Sequence, residues 1–159
     1  MKITLITIGR LKDKFFINAS AEYEKRLSKY CKLEIKTIDA ARLPSAPTKS
    51  EIQEALKEEA TKIIKAIPSG CDIIPLCIEG KQLSSEELSG QLENMKLYGT
   101  SHLCFIIGGS YGIDDEIKSL SRLRLSMSKM TFPHRLARIM LLEQLYRAFK
   151  ISEGGSYHK

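Results

Sequence analysis

The chain has 159 residues, of which 43% are hydrophobic and 28% are charged. This composition is typical of a globular domain and excludes a largely disordered chain, and no apolar run approaches the ~20 residues that span a bilayer. Four cysteines and three histidines show neither CxxC nor HExxH spacing, so we expect free thiols and no metal. We therefore expect one domain over residues 1–159, located in the cytoplasm.

Charge is unevenly distributed along the chain, whose net charge is +6. Residues 1–116 contain 16 Lys and Arg against 17 Asp and Glu, whereas residues 117–159 contain 9 against 2. Concentrated positive charge is typical of proteins that bind nucleic acid. A solvated basic face is the alternative interpretation, and charge alone does not decide between them.

The N-terminal half alternates between strand and helix patterns. KITLITIG alternates apolar and polar residues and predicts a strand, not a signal peptide. Asp13 is placed to cap a helix that runs to about Lys29, and KLEIKTI predicts a second strand. After a loop with two prolines, Ser50 and Gln53 form a predicted capping box for a long amphipathic helix.

The C-terminal half continues this alternation. CDIIPLCIEG predicts a strand, and Ser84 with Glu87 predicts a capping box for a helix that ends at Gly99. HLCFIIGG predicts a strand buried on both faces, a short helix begins at Asp114, and a long helix spans roughly residues 133–150. Strands alternating with helices predict an α/β domain with a mostly parallel sheet flanked by helices. The order of the strands does not follow from this pattern.

The last predicted helix is apolar around most of its circumference. Its apolar side chains are Leu136, Ile139, Met140, Leu141, Leu142, Leu145, Tyr146 and Phe149. Such a helix must be buried on several sides. A subunit interface explains the pattern, and burial within one subunit is the alternative.

A glycine-rich loop follows the apolar strand in FIIGGSYG. The spacing of Gly108, Gly109 and Gly112 matches neither the P-loop nor the dinucleotide-binding fingerprint. Carboxylates at residues 114–116 begin the next helix and neutralise its positive end, which disfavours phosphate. A ligand here is therefore expected to be neutral or cationic, as S-adenosylmethionine is. A tight turn that requires glycine is the alternative.

Three segments carry a resemblance to a known family. SMSKMTFPHRLARIMLLEQLYRAFKISEGGSYHK, FIIGGSYG and MKITLITIGRLK resemble the small SPOUT-class methyltransferases that modify a pseudouridine of bacterial large-subunit ribosomal RNA. The likeness runs from end to end of the chain. It implies an α/β SPOUT fold with a C-terminal trefoil knot, and a homodimer. It also implies methyl transfer from S-adenosylmethionine to N3 of a pseudouridine in 23S rRNA, with assembled ribosomes as substrate.

The resemblance also implies roles for individual residues. Tyr157 and His158 are expected to shape the target pocket, without a decision on which one moves a proton. His134 is a further candidate base, for which a structural role at the helix start is the alternative. Lys129, Arg135 and Arg138 are expected to contact RNA phosphates. The expected cofactor residues are Leu76, Gly108, Met127, Ser128, Lys129, Met130, Thr131 and Phe132.

A function of another class also fits the basic C-terminal region. A non-catalytic RNA-binding or ribosome-assembly module needs the positive charge but neither the glycine loop nor the SMSKMTFPH segment. Binding of the methyl donor separates this alternative from an enzyme. A nucleotide hydrolase is disfavoured because the P-loop is missing.

Overall fold

A computed structural model describes residues 1–154 and is built around a five-stranded sheet. The strands are β1 (Lys2–Ile8), β2 (Lys32–Ile38), β3 (Asp72–Gln82), β4 (His102–Ile107) and β5 (Leu125–Ser126). Their order across the sheet is β2-β1-β4-β3-β5, and each pairing between neighbours is parallel. The predicted mostly parallel α/β architecture is therefore confirmed. The trefoil knot that the resemblance implies stays a prediction.

Five helices cover the two faces of the sheet. They are α1 (Lys14–Leu27), α2 (Lys49–Ala66), α3 (Ser85–Leu97), α4 (Asp115–Ser119) and α5 (His134–Ser152). Leu5 and Phe105 point into a core that they share with residues of α1, α3 and α5. Ile6 and Ile106 point to the other face and contact residues of α2 and α4. Because successive side chains of a strand point to opposite faces, β1 and β4 build both cores at once.

The start of α2 differs from the prediction. The capping box is formed by Thr48 and Glu51, not by Ser50 and Gln53. The Thr48 hydroxyl accepts from the backbone N–H of Glu51 at 3.3 Å, and the Glu51 carboxylate accepts from the N–H of Thr48 at 2.7 Å. The prediction was wrong because two Ser/Thr-x-x-Glu/Gln patterns overlap here, and the backbone turns helical at the earlier one. The predicted box of Ser84 and Glu87 at the start of α3 is confirmed.

The last helix buries only part of its apolar surface within the subunit. Leu141, Leu142 and Leu145 are fully buried in the core shared with α1 and α3. The hydroxyl of Ser89 on α3 donates to the carbonyl of Ala148 at 2.7 Å and ties the two helices together. Other apolar residues of α5 are only half-buried, among them Leu136, Ile139 and Met140 near its start. Burial within the subunit therefore accounts for part of the apolar pattern of α5, and the half-buried residues near its start are available for a further contact.

All four cysteines are free thiols, and burial raises the pKa of Cys31 to about 11 and that of Cys104 to about 12. Within residues 1–154, no helix is long and apolar enough to cross a lipid bilayer. In the same part of the chain, no three His, Cys, Asp or Glu side chains are grouped so that they could hold a metal ion.

Truncation of Leu145 tests the contribution of α5 to the core. Because Leu145 is fully buried, Leu145→Ala is expected to lower the free energy of unfolding by about 2–5 kcal/mol. The control is Leu97→Ala at the end of α3, where the residue is 78% exposed and a change within about 0.5 kcal/mol is expected. Urea denaturation at one fixed protein concentration measures both. Equal destabilisation by the two variants would contradict the prediction.

Candidate active site

A cavity of about 1020 Å³ opens at the carboxyl edge of the sheet. Three segments line it. They are residues 76–79 of β3, residues 107–113 from the end of β4 onward, and residues 126–135 from the end of β5 to the first turn of α5. Ligands of open α/β sheets bind at this edge. A second, more open cavity of about 560 Å³ lies at the other end of the strands, beside Met1 and Lys32. The first cavity is therefore the candidate active site.

The glycine loop forms a tight turn at the floor of this cavity. The N–H of Gly112 donates to the carbonyl of Gly109 at 3.2 Å, and Gly112 has a φ of 88°, in the left-handed region that favours glycine. A Cβ atom on Gly108 would lie 2.2 Å from the carbonyl oxygen of Gly112. The turn itself therefore requires glycine at these two positions, whatever the cavity binds.

Acidic residues neutralise the start of the helix after this loop. The Asp114 carboxylate accepts from the N–H of Glu116 at 2.8 Å, and Asp115 forms an ion pair with Lys118 at 3.2 Å. The free N–H groups and partial positive charge that attract phosphate to helix starts are thus already offset by carboxylates. This arrangement suits a neutral or cationic ligand.

The structure brings seven of the eight expected cofactor residues to the wall of the cavity. They are Leu76, Gly108, Met127, Ser128, Met130, Thr131 and Phe132. Lys129 is exposed and is not part of the wall. Local hydrogen bonds shape this segment, since the Ser126 hydroxyl donates to the Ser128 carbonyl and the Ser128 hydroxyl accepts from the N–H of Met130, each at 3.0 Å.

His134 and Arg135 enter the cavity from the first turn of α5. The His134 ring packs beside the backbone of Gly9, at the carboxyl end of β1. Burial lowers the pKa of His134, and the neighbouring charge of Arg135 lowers it further. Both effects favour the neutral imidazole, which has an unprotonated ring nitrogen that is able to accept a proton. The Arg135 guanidinium is held by the Asp13 carboxylate at 2.8 Å, in place of the helix cap expected of Asp13.

Arg138 lies one turn further along α5 and is largely buried. Its side chain is 11% exposed, and it donates to the Ser20 hydroxyl at 3.1 Å and lies 3.7 Å from the Glu24 carboxylate. Arg138 would have to leave these α1 partners to reach a phosphate. Lys129 is exposed and Arg135 is partly so, which makes these two the better placed of the three expected RNA contacts.

The two expected target-pocket residues, Tyr157 and His158, lie outside the described residues. Their expected roles therefore stay predictions. The described part of the chain ends at Gly154, just after α5.

A buried carboxylate behind the glycine loop was missed by the sequence interpretation. Glu59 on α2 is 8% exposed and accepts from the backbone N–H of Ala41 at 2.9 Å, and its oxygens lie close to Gly109. Burial raises the pKa of its carboxyl group. The sequence contained a signal for this burial. Glu59 lies four residues from both Ala55 and Ile63, and it therefore falls in the apolar stripe of α2.

Comparisons with known proteins agree with this geometry. A family model described as a predicted SPOUT methyltransferase matches residues 1–158. Among solved structures, a tRNA (m1G37) methyltransferase from Aquifex aeolicus has a TM-score of 0.55 at 13% identity, covering 92% of this chain and 70% of that one. A Legionella pneumophila protein assigned as a methyltransferase, solved with bound SAM, has a TM-score of 0.51 at 12% identity, covering 96% and 66%. At these identities the two structures show a shared fold.

Full-length relatives are more similar in sequence. Two proteins named ribosomal RNA large subunit methyltransferase H, from Acetivibrio thermocellus and Bifidobacterium adolescentis, are 45% and 47% identical over 159 residues. In both cases the match covers 100% of this chain and 100% of the relative. The family match and these relatives together show that the chain belongs to the SPOUT methyltransferase family.

Proposed function

We propose that this SPOUT methyltransferase, acting in the cytoplasm as a single-domain homodimer, transfers a methyl group from S-adenosylmethionine to N3 of a pseudouridine in 23S rRNA. The proposed substrate is the assembled ribosome. The observation that carries the proposal is the cavity at the carboxyl edge, to which three separate segments bring seven expected cofactor residues. The names of the full-length relatives support ribosomal RNA as the methyl acceptor. The match of the family model to residues 1–158 supports a single domain.

The cavity fits the proposed methyl donor in size and charge. Its volume of about 1020 Å³ is at the upper end of the roughly 300–1,000 Å³ usual for small-molecule sites. Apolar side chains such as Leu76, Met127 and Phe132 can enclose an adenine ring, while backbone groups of the glycine loop offer hydrogen bonds. A sulfonium is compatible with the acidic start of α4, which phosphate is not.

The chemistry requires positioning and removal of one proton. S-adenosylmethionine supplies an electrophilic methyl group, and holding the attacking nitrogen in line with it can lower the barrier by ~7–11 kcal/mol. The N3–H of pseudouridine must lose its proton to a group within hydrogen-bond reach. We propose that Tyr157 and His158 shape this target pocket. The candidate acceptors of the proton are His158 and His134. His134 lies in the cavity wall, and its lowered pKa favours the neutral imidazole.

RNA binding and dimerisation are proposed on separate features. We propose that Lys129, which is exposed, and Arg135, which is partly exposed, contact phosphates near the cavity, while Arg138 stabilises the contact of α5 with α1. The half-buried apolar residues of α5 named above support burial against a second subunit. In such a dimer, residues 155–159 of one subunit are proposed to act at the cavity of the other.

A substitution in the glycine loop tests donor binding. Gly108→Ala is expected to weaken S-adenosylmethionine binding about tenfold or more, because the new Cβ atom collides with the Gly112 carbonyl and displaces the loop. Calorimetric titration measures the affinity, and circular dichroism confirms the fold of the variant. Gly90→Ala on α3 is the control, since a Cβ atom there meets nothing within 4 Å. No binding by the folded wild-type protein would favour the non-catalytic RNA-binding alternative.

Removal of residues 155–159 tests the proposed target pocket. The truncated protein is expected to bind S-adenosylmethionine with unchanged affinity but to lose methyl transfer to ribosomes, because Tyr157 and His158 are absent. Transfer of labelled methyl groups to ribosomes measures activity, with Lys159→Gln as the control for the loss of a terminal charge. A full transfer rate in the truncated protein would exclude a role for the tail.

The protonation of His134 is directly measurable. Its imidazole pKa is expected below the ordinary value of 6.5, because the ring is partly buried and lies beside Arg135. NMR titration of the imidazole resonances measures this pKa, and Arg135→Gln is expected to raise it by removing the neighbouring positive charge. A pKa at or above 6.5 in the wild-type protein would be evidence against a neutral His134 as proton acceptor over the whole neutral range.

A further inference from the structure

An ion pair between a carboxylate and an ammonium group lies in the wall of the cavity. Among the described residues that line the cavity, Glu79 is the one carboxylate. It lies on β3, three residues after Leu76, and its side chain is 53% exposed. The Lys118 ammonium, also in the wall, donates to Glu79 at 2.6 Å. Glu79 and Lys118 thus form an ion pair facing the ligand space.

The ion pair is held in place from α4. Lys118 is only 17% exposed, and its ammonium also contacts the Asp115 carboxylate at 3.2 Å. Its backbone carbonyl accepts from the Arg124 guanidinium at 3.3 Å, which ties α4 to the segment before β5. With two carboxylates around one ammonium, the group has a net charge of −1. The hydrogen bond from Lys118 lowers the pKa of Glu79, so its carboxylate is ionised at pH 7.

Hydrogen-bonding capacity remains on both members of the pair. An ammonium has three donors, and Lys118 uses two of them, on Glu79 and Asp115. An ionised carboxylate has about four acceptor positions, of which Lys118 occupies one on Glu79. One free donor beside several free acceptors is complementary to an α-amino acid, which carries an ammonium next to a carboxylate.

We propose that Glu79 binds the α-ammonium group of the methyl donor, with the Lys118 ammonium beside it facing the α-carboxylate. This inference rests on the proposed function and assigns the amino-acid end of S-adenosylmethionine to the wall formed by β3 and α4. The adenosine end is then left to the glycine loop and to residues 126–132. The other charged side chain of the wall, Arg135, is bound to Asp13 and lies on a different helix.

Three related ligands separate this assignment from the alternatives. S-adenosylmethionine has both the amino-acid end and the sulfonium, S-adenosylhomocysteine has only the amino-acid end, and 5′-methylthioadenosine has neither. Because a hydrogen bond between charged groups is lost, Glu79→Gln is expected to weaken binding of the first two about tenfold or more. Binding of 5′-methylthioadenosine is expected to stay unchanged. Calorimetry on wild-type and variant protein gives all six affinities.

The matched control is Glu22→Gln on α1. Glu22 has the same 53% side-chain exposure as Glu79 and also forms an ion pair, with Arg26, but does not line the cavity. This control is expected to leave all three affinities unchanged. Thermal unfolding of each variant shows that the fold is retained.

Each other result overturns the assignment. Weakening of S-adenosylmethionine alone would place Glu79 near the sulfonium, and equal weakening of all three ligands would show a general effect on the cavity. Unchanged affinities would show that the ion pair of Glu79 and Lys118 contributes little to ligand binding, as is usual for surface ion pairs. If the wild-type protein bound none of the three ligands, the proposed function would fail together with the assignment, and this result is distinct from the others.

Discussion

Strand β4 is buried on both faces of the sheet, and its two neighbours and the site at its carboxyl end are arranged around it. Leu103 to Ile107 are all buried, and β4 pairs in parallel with β1 on one side and β3 on the other. Parallel pairing places the carboxyl ends of these strands at one edge of the sheet. Gly9 and Gly108, which follow β1 and β4, and Leu76 of β3, which pairs with the last residue of β4, therefore come together at that edge, although they are far apart in sequence.

The site formed at this edge combines rigid backbone with a selective distribution of charge. The turn from Gly108 to Gly112 follows directly from the buried β4 and is closed by its own hydrogen bond, so its backbone groups are held in position. The buried Glu59 carboxylate, which accepts from the N–H of Ala41, lies close to Gly109 of this turn. Glu79 of β3 and Lys118 of α4 line the cavity on one side, and the first turn of α5 contributes His134 and Arg135 on the other. In the proposed function, the first side binds the cationic methyl donor and the second meets the polyanionic RNA.

Helix α5 extends from the hydrophobic core to the candidate active site. Its middle, around Leu141 and Leu145, is buried in the core, and its first turn lies in the cavity wall. Arg138 lies between these regions and contacts α1. Its Nε atom is buried and has no hydrogen-bond partner within residues 1–154. Burial lowers the pKa of this guanidinium, but an arginine stays charged at neutral pH. The position of the first turn is thus coupled to the packing of α1 against α5.

The kinds of element, the α/β class and the glycine loop could be predicted from the amino-acid sequence, because periodicity and turn chemistry are local properties. It also contained the three segments that resemble SPOUT methyltransferases. Where two local patterns competed, as at Thr48 and Ser50, sequence alone did not resolve the helix start. The strand order, the burial of Arg138 and the ion pair of Glu79 with Lys118 became visible in the folded chain alone. These depend on contacts between residues distant in the chain, and no local pattern encodes which distant partners will share one edge of a sheet.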